Sequence, residues 1–240
     1  MPPPVCAVMI TGKDPARFEL AERSMQSFLE QTYSRKHLLI VNDGEQEFMR
    51  GRKRDNVTEL LPEPPYDGIR RTLGELRNLA LQTLEDAKVL PRSDLVMQWD
   101  DDDYSHPHRM AHQVSKKRPR HAVIFRYEVH CHLGTGEAFV NCGDTQRAGG
   151  FPGTILHSLV DRHRYPHFGK SEDAEFALLW KNKQMLTVLN NQPLLYVRFY
   201  HGKNTWHEEH VMKPRQGSRD LTIQERAYVD EVRKRYVLSW

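Results

Sequence analysis

The sequence is poor in cysteine and has no long hydrophobic run, and each lack excludes a class of protein. The 240 residues contain only three cysteines, Cys6, Cys131 and Cys142, which are too few for a disulfide framework and suit a reducing compartment. No apolar stretch approaches the roughly 20 residues that a membrane helix needs. The start, Met1 to Pro4, lacks the basic and apolar regions of a secretory signal. We therefore expect a cytoplasmic protein with no transmembrane segment.

An excess of charge of one sign is also missing. The chain has 35 Lys and Arg against 32 Asp and Glu, a net charge of +3, which permits a polyanionic partner without requiring one. Hydrophobic residues make up 38% of the chain, so its composition is far from that of a disordered protein. The length and the lack of an internal repeat favour a single domain.

Strand and helix signals alternate through the first half of the chain. Short apolar runs predict buried strands at 5–10, 38–41, 57–61 and 95–99, and apolar residues at helical spacing predict helices starting at Asp14-Pro15 and spanning Leu73 to Leu84. This alternation implies a mostly parallel sheet flanked by helices. Because ligands bind at the carboxyl ends of such strands, we expect Thr11, Asp43 and Asp100–Asp103 along one edge of the sheet.

The second half gives weaker signals. It predicts a helix from Pro107 to Lys117, a strand from Ala122 to Val129, a helix from about Ser171 to Lys183, a strand near Leu194 to Phe199 and a final helix capped by Thr222 and Glu225. Six of the 14 glycines lie between Gly134 and Gly153. We therefore predict loops there, with one hairpin arm at Phe139 to Cys142.

Four consecutive aspartates, Asp100–Asp103, follow the strand predicted at 95–99. At the mouth of a buried strand their mutual repulsion requires a cation. Carboxylate oxygens suit Mg²⁺ or Mn²⁺, and such ions commonly bridge carboxylates to substrate phosphates. The alternative is a solvated acidic turn before the next helix.

Two further segments carry chemistry. Glu172-Asp173 opens a predicted helix, where the pair is either a favourable charge at the helix N-terminus or an active-site base. The segment 198–206 concentrates donors suited to phosphate oxygens, or is a surface loop. Neither a P-loop nor a dinucleotide fingerprint is present.

The order of these motifs resembles the GT-A nucleotide-sugar glycosyltransferases, specifically glycosyltransferase family 2. The resemblance extends to about Trp206 and rests on the opening strand into Thr11, Val41-Asn42-Asp43-Gly44, Gly74-Glu75-Leu76-Arg77-Asn78, Trp99-Asp100-Asp101-Asp102-Asp103 with His106-Pro107, Glu172-Asp173 and His201-Gly202-Lys203-Asn204-Thr205. One departure is Asn42, where the family usually has aspartate.

The resemblance implies a Rossmann-like α/β domain of GT-A type. It would span residues 1–206, with a donor-binding half at about 1–110 and an acceptor and catalytic half at about 111–206. Residues 207–240 would form a C-terminal helical extension packed on the same domain.

The resemblance also implies an activity, inverting transfer of a sugar from a nucleotide-sugar, which we expect to be a UDP-sugar, to an acceptor hydroxyl. Mn²⁺ or Mg²⁺ would be held by Asp102 or Asp103, with His201 nearby. Asp173 would be the general base, with Glu172 beside it as the other catalytic residue. The donor would be bound by Thr11, Asp43, Arg77, Asn78, Asp100, Asp101, His201 and Lys203.

Other interpretations remain open at this point. We expect a saccharide acceptor, but the basic runs Arg50–Arg54 and Lys116–Arg120 suggest a hydroxylated base in DNA as an alternative. A nucleotide- or metal-binding module without turnover would need no base at Asp173. A nucleotidyltransferase would attack phosphorus instead of the anomeric carbon. The sequence does not define the oligomeric state.

Overall fold

Two β-sheets with helices packed on them make up the chain. The structure is a computed structural model that describes residues 1–12, 14, 17–64, 68–86, 93–144 and 147–237. The strands are β1 (Val5–Thr11), β2 (Lys36–Asn42), β3 (Val57–Leu60), β4 (Leu95–Trp99), β5 (Tyr104–Ser105), β6 (Ala122–Phe125), β7 (Tyr127–His132), β8 (Ala138–Cys142), β9 (Phe151–Ser158), β10 (Leu186–Leu189), β11 (Tyr196–Tyr200) and β12 (Arg219–Asp220). The helices are α1 (Phe18–Leu29), α2 (Leu73–Glu85), α3 (Arg109–Lys116), α4 (Glu172–Asn182), α5 (Glu208–Val211) and α6 (Ile223–Tyr236). None of these helices is both long and apolar enough to cross a membrane.

The larger sheet has the strand order β10-β6-β9-β4-β1-β2-β3. Strand β1 is parallel to both β2 and β4, and β2 is parallel to β3. Only β9 is antiparallel to its neighbours, β4 and β6. The predicted mostly parallel sheet is therefore confirmed, and the carboxyl ends of β1, β2 and β4 meet at one edge.

Helices cover both faces of this sheet. On one face, Met25 and Phe28 of α1 and Met110 of α3 are fully buried against the strands. On the other face, Leu76 of α2 and Trp180 of α4 are equally buried. Burial of apolar side chains on both faces explains why the strands are continuous hydrophobic runs.

The smaller sheet has the order β12-β8-β7-β11-β5. Helix α6 packs on it through Val229, Val232 and Tyr236. The predicted cap of this helix is confirmed, because Thr222 and Glu225 form a reciprocal capping box.

The strand predicted from Ala122 to Val129 is wrong as a single element. The chain breaks at Arg126 and passes from the larger sheet, as β6, to the smaller sheet, as β7. The side-chain oxygen of Asn191 accepts hydrogen bonds from the backbone N–H groups of Arg126 and Tyr127, each at 3.0 Å. These two bonds hold the bend, and they come from a residue more than sixty positions away.

Four of the described strands were not predicted. They are β9, within and beyond the glycine-rich stretch, β10 after α4, and the two-residue strands β5 and β12. The start of α1 also differs from the prediction at Asp14-Pro15. Pro15 lies outside the described residues, and α1 begins at Phe18 with Arg17 as its N-cap residue. The backbone N–H of Arg17 donates to the carbonyl of Asp14 at 2.8 Å.

Candidate active site

An open pocket lies at the carboxyl ends of β1 and β4. Its volume is about 1010 Å³ when the part open to solvent is included. Its described lining is Ile10, Thr11, Gly12, Arg17, Leu73, Arg77, Gln98, Asp100, Asp101, Asp102, Asp103, Lys170, Ser171, Glu172, Asp173, Arg198, Asn204, Thr205, Trp206 and Val211. The fold thus brings together eight of the expected site residues, Thr11, Arg77, the four aspartates, Glu172 and Asp173. The same lining contains six carboxylates and four cationic side chains.

Close backbone contacts shape the pocket edge between β1 and β2. Gly12 has φ +106°, and a Cβ there would lie 1.8 Å from the side-chain oxygen of Asn42, so only glycine fits. The Asn42 amide nitrogen donates to a carboxylate oxygen of Glu59 at 2.7 Å. An aspartate at position 42 would repel Glu59, which explains the asparagine in this sequence.

Asp101 and Asp102 converge on one cation. A single guanidinium nitrogen of Arg17, Nη2, lies 2.6 Å from Asp101 Oδ1 and 2.7 Å from Asp102 Oδ2. Burial raises the pKa of the Asp101 carboxyl to about 6 despite Arg17. For Asp102 burial acts in the same direction, but Arg17 and His201 outweigh it and bring the pKa down to about 2. Asp102 is therefore the more acidic of the two carboxyls.

His201 also contacts Asp102. Its Nε2 lies 3.1 Å from Asp102 Oδ2, while its Nδ1 accepts from the backbone N–H of Lys203 at 3.3 Å. This pattern assigns the imidazole proton to Nε2, so His201 donates to Asp102. The expected proximity of His201 to the aspartate cluster is present, but its lone pair does not point at the carboxylates.

Asp103 faces away from this point, towards β11. One of its oxygens accepts from the hydroxyl of Tyr196 at 2.7 Å, and the other accepts from the backbone N–H of Phe199 at 2.9 Å. The guanidinium Nε of Arg198 lies 3.6 Å away. Both oxygens of Asp103 thus fasten the aspartate loop to the smaller sheet.

Arg77 connects the two acidic segments of the pocket. Its Nε donates to Glu172 at 3.0 Å, and its Nη2 lies 3.4 Å from Asp100. Arg77 and Glu172 are both buried, at 7% and 3% exposure. A buried carboxylate held by a buried arginine is a fixed structural charge.

Asp173 differs from its neighbour. It lines the pocket and makes no ion pair with any described residue; its Oδ1 accepts only the N–H of the next residue, Ala174, at 2.7 Å. Burial, together with the charge of Glu172, raises the pKa of Asp173 to about 6. A carboxylate with a pKa near neutrality and an open face can act as a general base.

Asn78 is not brought to the pocket, contrary to the expectation that it binds the donor. Its amide nitrogen donates to the carbonyl of Tyr165 at 2.8 Å, and its amide oxygen accepts from the N–H of Tyr165 at 2.8 Å. These bonds use the side chain to hold α2 against the segment that leads into α4. Asn78 therefore positions the site without lining it.

Asp43 and Lys203, also expected at the donor, stand outside the described lining. The carboxylate of Asp43 lies 3.9 Å from Arg71, beyond the end of β2. The ammonium of Lys203 lies 3.8 Å from Asp14. Each is next to a lining residue, since the backbone N–H of Asp43 donates to the carbonyl of Thr11 at 2.9 Å and Lys203 precedes Asn204 in the sequence.

Twelve residues of the described lining were not among the expected site residues, and four of them carry a charge or an aromatic ring, namely Arg17, Lys170, Arg198 and Trp206. Arg198 and Trp206 lie in the segment 198–206 that was recognised only as a run of donors. Arg17 and Lys170 carry no motif, because each reaches the site from a connection between elements.

The structure also bears on the expected metal ion and on the two basic runs. Among the residues that the structure describes, no group of three His, Cys, Asp or Glu side chains is arranged to hold a metal ion. The basic runs Arg50–Arg54 and Lys116–Arg120 contribute nothing to the described lining, and the DNA alternative stays a prediction.

Comparison with known proteins gives structural matches. No protein-family model and no curated protein matches the sequence. TarS residues 1–349 of S. aureus, solved with UDP-GlcNAc, align with a TM-score of 0.58 at 13% identity over 98% of this chain and 71% of that one. The mannosyltransferase PcManGT from Pyrobaculum calidifontis, solved with GDP-Man and Mn²⁺, aligns with a TM-score of 0.57 at 13% identity over 85% of this chain and 59% of that one. The chain therefore has the GT-A-like fold of nucleotide-sugar glycosyltransferases, as the sequence predicted.

Proposed function

We propose that this protein is an inverting glycosyltransferase that transfers a sugar from a nucleotide-sugar, a UDP-sugar in the first instance, to a saccharide hydroxyl. One observation carries the proposal: a single pocket holds two acidic centres of opposite character. Asp101 and Asp102 converge on a cation, whereas Asp173 has no ion pair with a described residue and has a pKa raised to about 6. The two structural relatives bind UDP-GlcNAc and GDP-Man, which supports a nucleotide-sugar donor.

The first centre fits a divalent ion. The nitrogen of Arg17 occupies a point within 2.7 Å of both Asp101 and Asp102, which is where a small cation would be held. Two carboxylates with substrate phosphates are a common Mg²⁺ or Mn²⁺ environment. Asp101 and Asp102, in place of Asp103, would hold the ion. When bound, it would stabilise the negative charge that develops on the departing nucleoside diphosphate.

The second centre supplies the base. Asp173 accepts the proton of the acceptor hydroxyl while the oxygen attacks the anomeric carbon. The bond from the anomeric carbon to the phosphate oxygen breaks at the same time, and its electron pair leaves with the diphosphate. Arg77 fixes Glu172 so that Asp173 remains the open carboxylate. A single displacement inverts the anomeric configuration.

The acceptor would be received by an aromatic ring, Trp206, that lines the same pocket as Asp173. Trp206 is 36% exposed, and its ring is stacked on His210 at a centroid distance of 4.3 Å. The ammonium of Lys170 lies 5.3 Å from the centre of the Trp206 ring. A partly exposed aromatic ring flanked by an ammonium and an imidazole offers a sugar both apolar contact and hydrogen-bond donors. This surface favours a saccharide acceptor.

The test measures product formation in a matched pair of variants. UDP-GlcNAc and GDP-Man are offered with Mn²⁺ and a panel of saccharide acceptors, and release of the nucleoside diphosphate is followed. Asp173→Asn keeps the shape and removes the base, so turnover should fall by about 10²-fold or more. Glu175→Gln changes an exposed carboxylate two positions further along α4 and should leave turnover unchanged.

Other outcomes would reject the proposal. Release of pyrophosphate would indicate nucleotidyl transfer. Tight UDP binding without turnover of any donor would indicate a binding module. Full turnover of Asp173→Asn would remove the assigned base.

A further inference from the structure

Arg17 reaches the acidic pocket from the start of α1. It is the N-cap residue of that helix, and its guanidinium contacts Asp101 and Asp102, more than eighty positions away in the sequence. The Arg17 side chain is 20% exposed. The contact therefore lies at the mouth of the pocket, within reach of solvent and of an incoming ligand.

Within the described residues, the guanidinium of Arg17 makes fewer hydrogen bonds than a permanently held arginine would. Both bonds use the same nitrogen, Nη2, and the Nε of Arg17 is buried with no hydrogen-bond partner in the described part of the chain. Arginine binds carboxylates most strongly with two parallel N–H donors. A buried donor without an acceptor carries a free-energy cost.

Arg109 shows what a permanently held arginine looks like in this fold. It is fully buried. Its Nε, Nη1 and Nη2 donate to Gln113, Ser105 and the carbonyl of Gln98 at 3.2, 2.8 and 2.9 Å. Every guanidinium nitrogen of Arg109 has an acceptor, whereas within the described residues a single nitrogen of Arg17 is hydrogen-bonded, to two carboxylates.

We infer that Arg17 is a displaceable counter-ion. It neutralises Asp101 and Asp102 in the free protein and gives up its place when a divalent ion enters with the donor diphosphate. This inference rests on the proposed function, because it assigns the second cation as a divalent ion. A second contact of this segment, between Asp14 and Lys203 at 3.8 Å, is nearly half exposed at both ends, so it opposes the displacement little.

Competition for the same two carboxylates has a measurable consequence. In the free protein Arg17 weakens binding of the metal alone, because the ion must first displace the guanidinium. The diphosphate brings additional oxygen ligands and negative charge, so metal and nucleotide bind better together than apart. The wild-type protein should therefore bind Mn²⁺ weakly alone and more tightly in the presence of UDP.

The experiment compares Arg17→Gln with the wild type by titrating Mn²⁺ and following the electron paramagnetic resonance signal of the free ion. We expect Arg17→Gln to bind Mn²⁺ alone at least about tenfold more tightly, and UDP to improve its affinity less than it does in the wild type. Arg52→Gln is the control, since Arg52 pairs with Glu22 at an exposed site outside the pocket lining. Its Mn²⁺ affinity should match the wild type.

A thermal readout keeps the inference testable if Arg17→Gln is unstable. In EDTA the variant should melt below the wild type, and Mn²⁺ should raise its melting temperature by more than it raises that of the wild type. Unfolding in EDTA that Mn²⁺ reverses would support the inference, and unfolding that Mn²⁺ does not reverse would overturn it. Equal or weaker Mn²⁺ binding by Arg17→Gln, or none by either protein, would also overturn it. If UDP still binds and the donor still turns over, only the inference fails; if the wild type binds no nucleotide, the proposed function fails.

Discussion

The two acidic segments of the pocket have similar sequences and different environments. At the end of β4, Asp101 and Asp102 share the Arg17 guanidinium. At the start of α4, Arg77 neutralises Glu172, and the adjacent Asp173 has no ion pair with a described residue. The comparison shows that adjacent carboxylates acquire different chemistry from the cations that reach them. One segment is suited to holding a cation and the other to accepting a proton.

We expect the largest effect from removing the carboxylate that is proposed to hold the cation. Asp102→Asn should lower transfer by about 10³-fold, and excess EDTA should do the same to the wild type. The fold should persist, because Asn keeps the shape of the side chain and an oxygen that can accept from Arg17 and His201. Transfer assays and circular dichroism check both points. Full activity in EDTA would contradict the assignment of a divalent ion to this segment.

Asp103 has a different role from Asp102 within the aspartate cluster, because its oxygens accept hydrogen bonds from Phe199 and Tyr196. Asp103→Ala would leave a buried N–H and a buried hydroxyl without acceptors. We expect the free energy of unfolding to fall by about 2 kcal/mol or more, whereas Asp102→Asn, which keeps an acceptor for Arg17 and His201, should lower it less. Urea denaturation of both variants measures this. Equal stability of the two would show that Asp103 is not a structural anchor.

The pH dependence tests the second segment. Burial and Glu172 raise the pKa of Asp173 to about 6, and the base must be deprotonated to work. The value of kcat/KM should therefore rise about tenfold per pH unit below this pKa and level off above it. The residual activity of Asp173→Asn should not show this rise of kcat/KM with pH. If the variant keeps the same rise, the titrating group is another one, such as Asp101, whose pKa is also raised to about 6.

The smallest expected effect concerns the acceptor. Trp206→Ala should raise KM for the best saccharide of the panel by about 5- to 10-fold, and Trp206→Phe by less. Release of UDP from the donor in the absence of acceptor should not change. An unaltered KM in Trp206→Ala would place the acceptor elsewhere in the pocket.

The parallel half of the fold could be predicted because its signals are local. Strands β1, β2 and β4 contain short apolar runs that lead into Thr11, Asn42 and Asp100, which is enough to locate the pocket edge. Asp173 could be chosen as a candidate base from its position at a helix start. Its difference from Glu172 could not, because it depends on Arg77 of α2.

The rest depends on contacts between distant residues. The break between β6 and β7 is held by Asn191, and nothing in the sequence around Arg126 signals it. Strand β9 contains Pro152 and Gly153, which predict a loop, yet it lies between β4 and β6. Arg17 had no motif, because its role depends on where α1 begins relative to the end of β4.

The most direct test of the division of labour is the affinity for UDP in the presence of Mn²⁺, measured by isothermal titration calorimetry for Asp102→Asn and Asp173→Asn. The proposed roles predict that Asp173→Asn binds UDP as the wild type does although it has lost turnover, and that Asp102→Asn loses most of its UDP affinity. Equal UDP affinity in the two variants would contradict the assignment of one segment to the cation and the other to the proton.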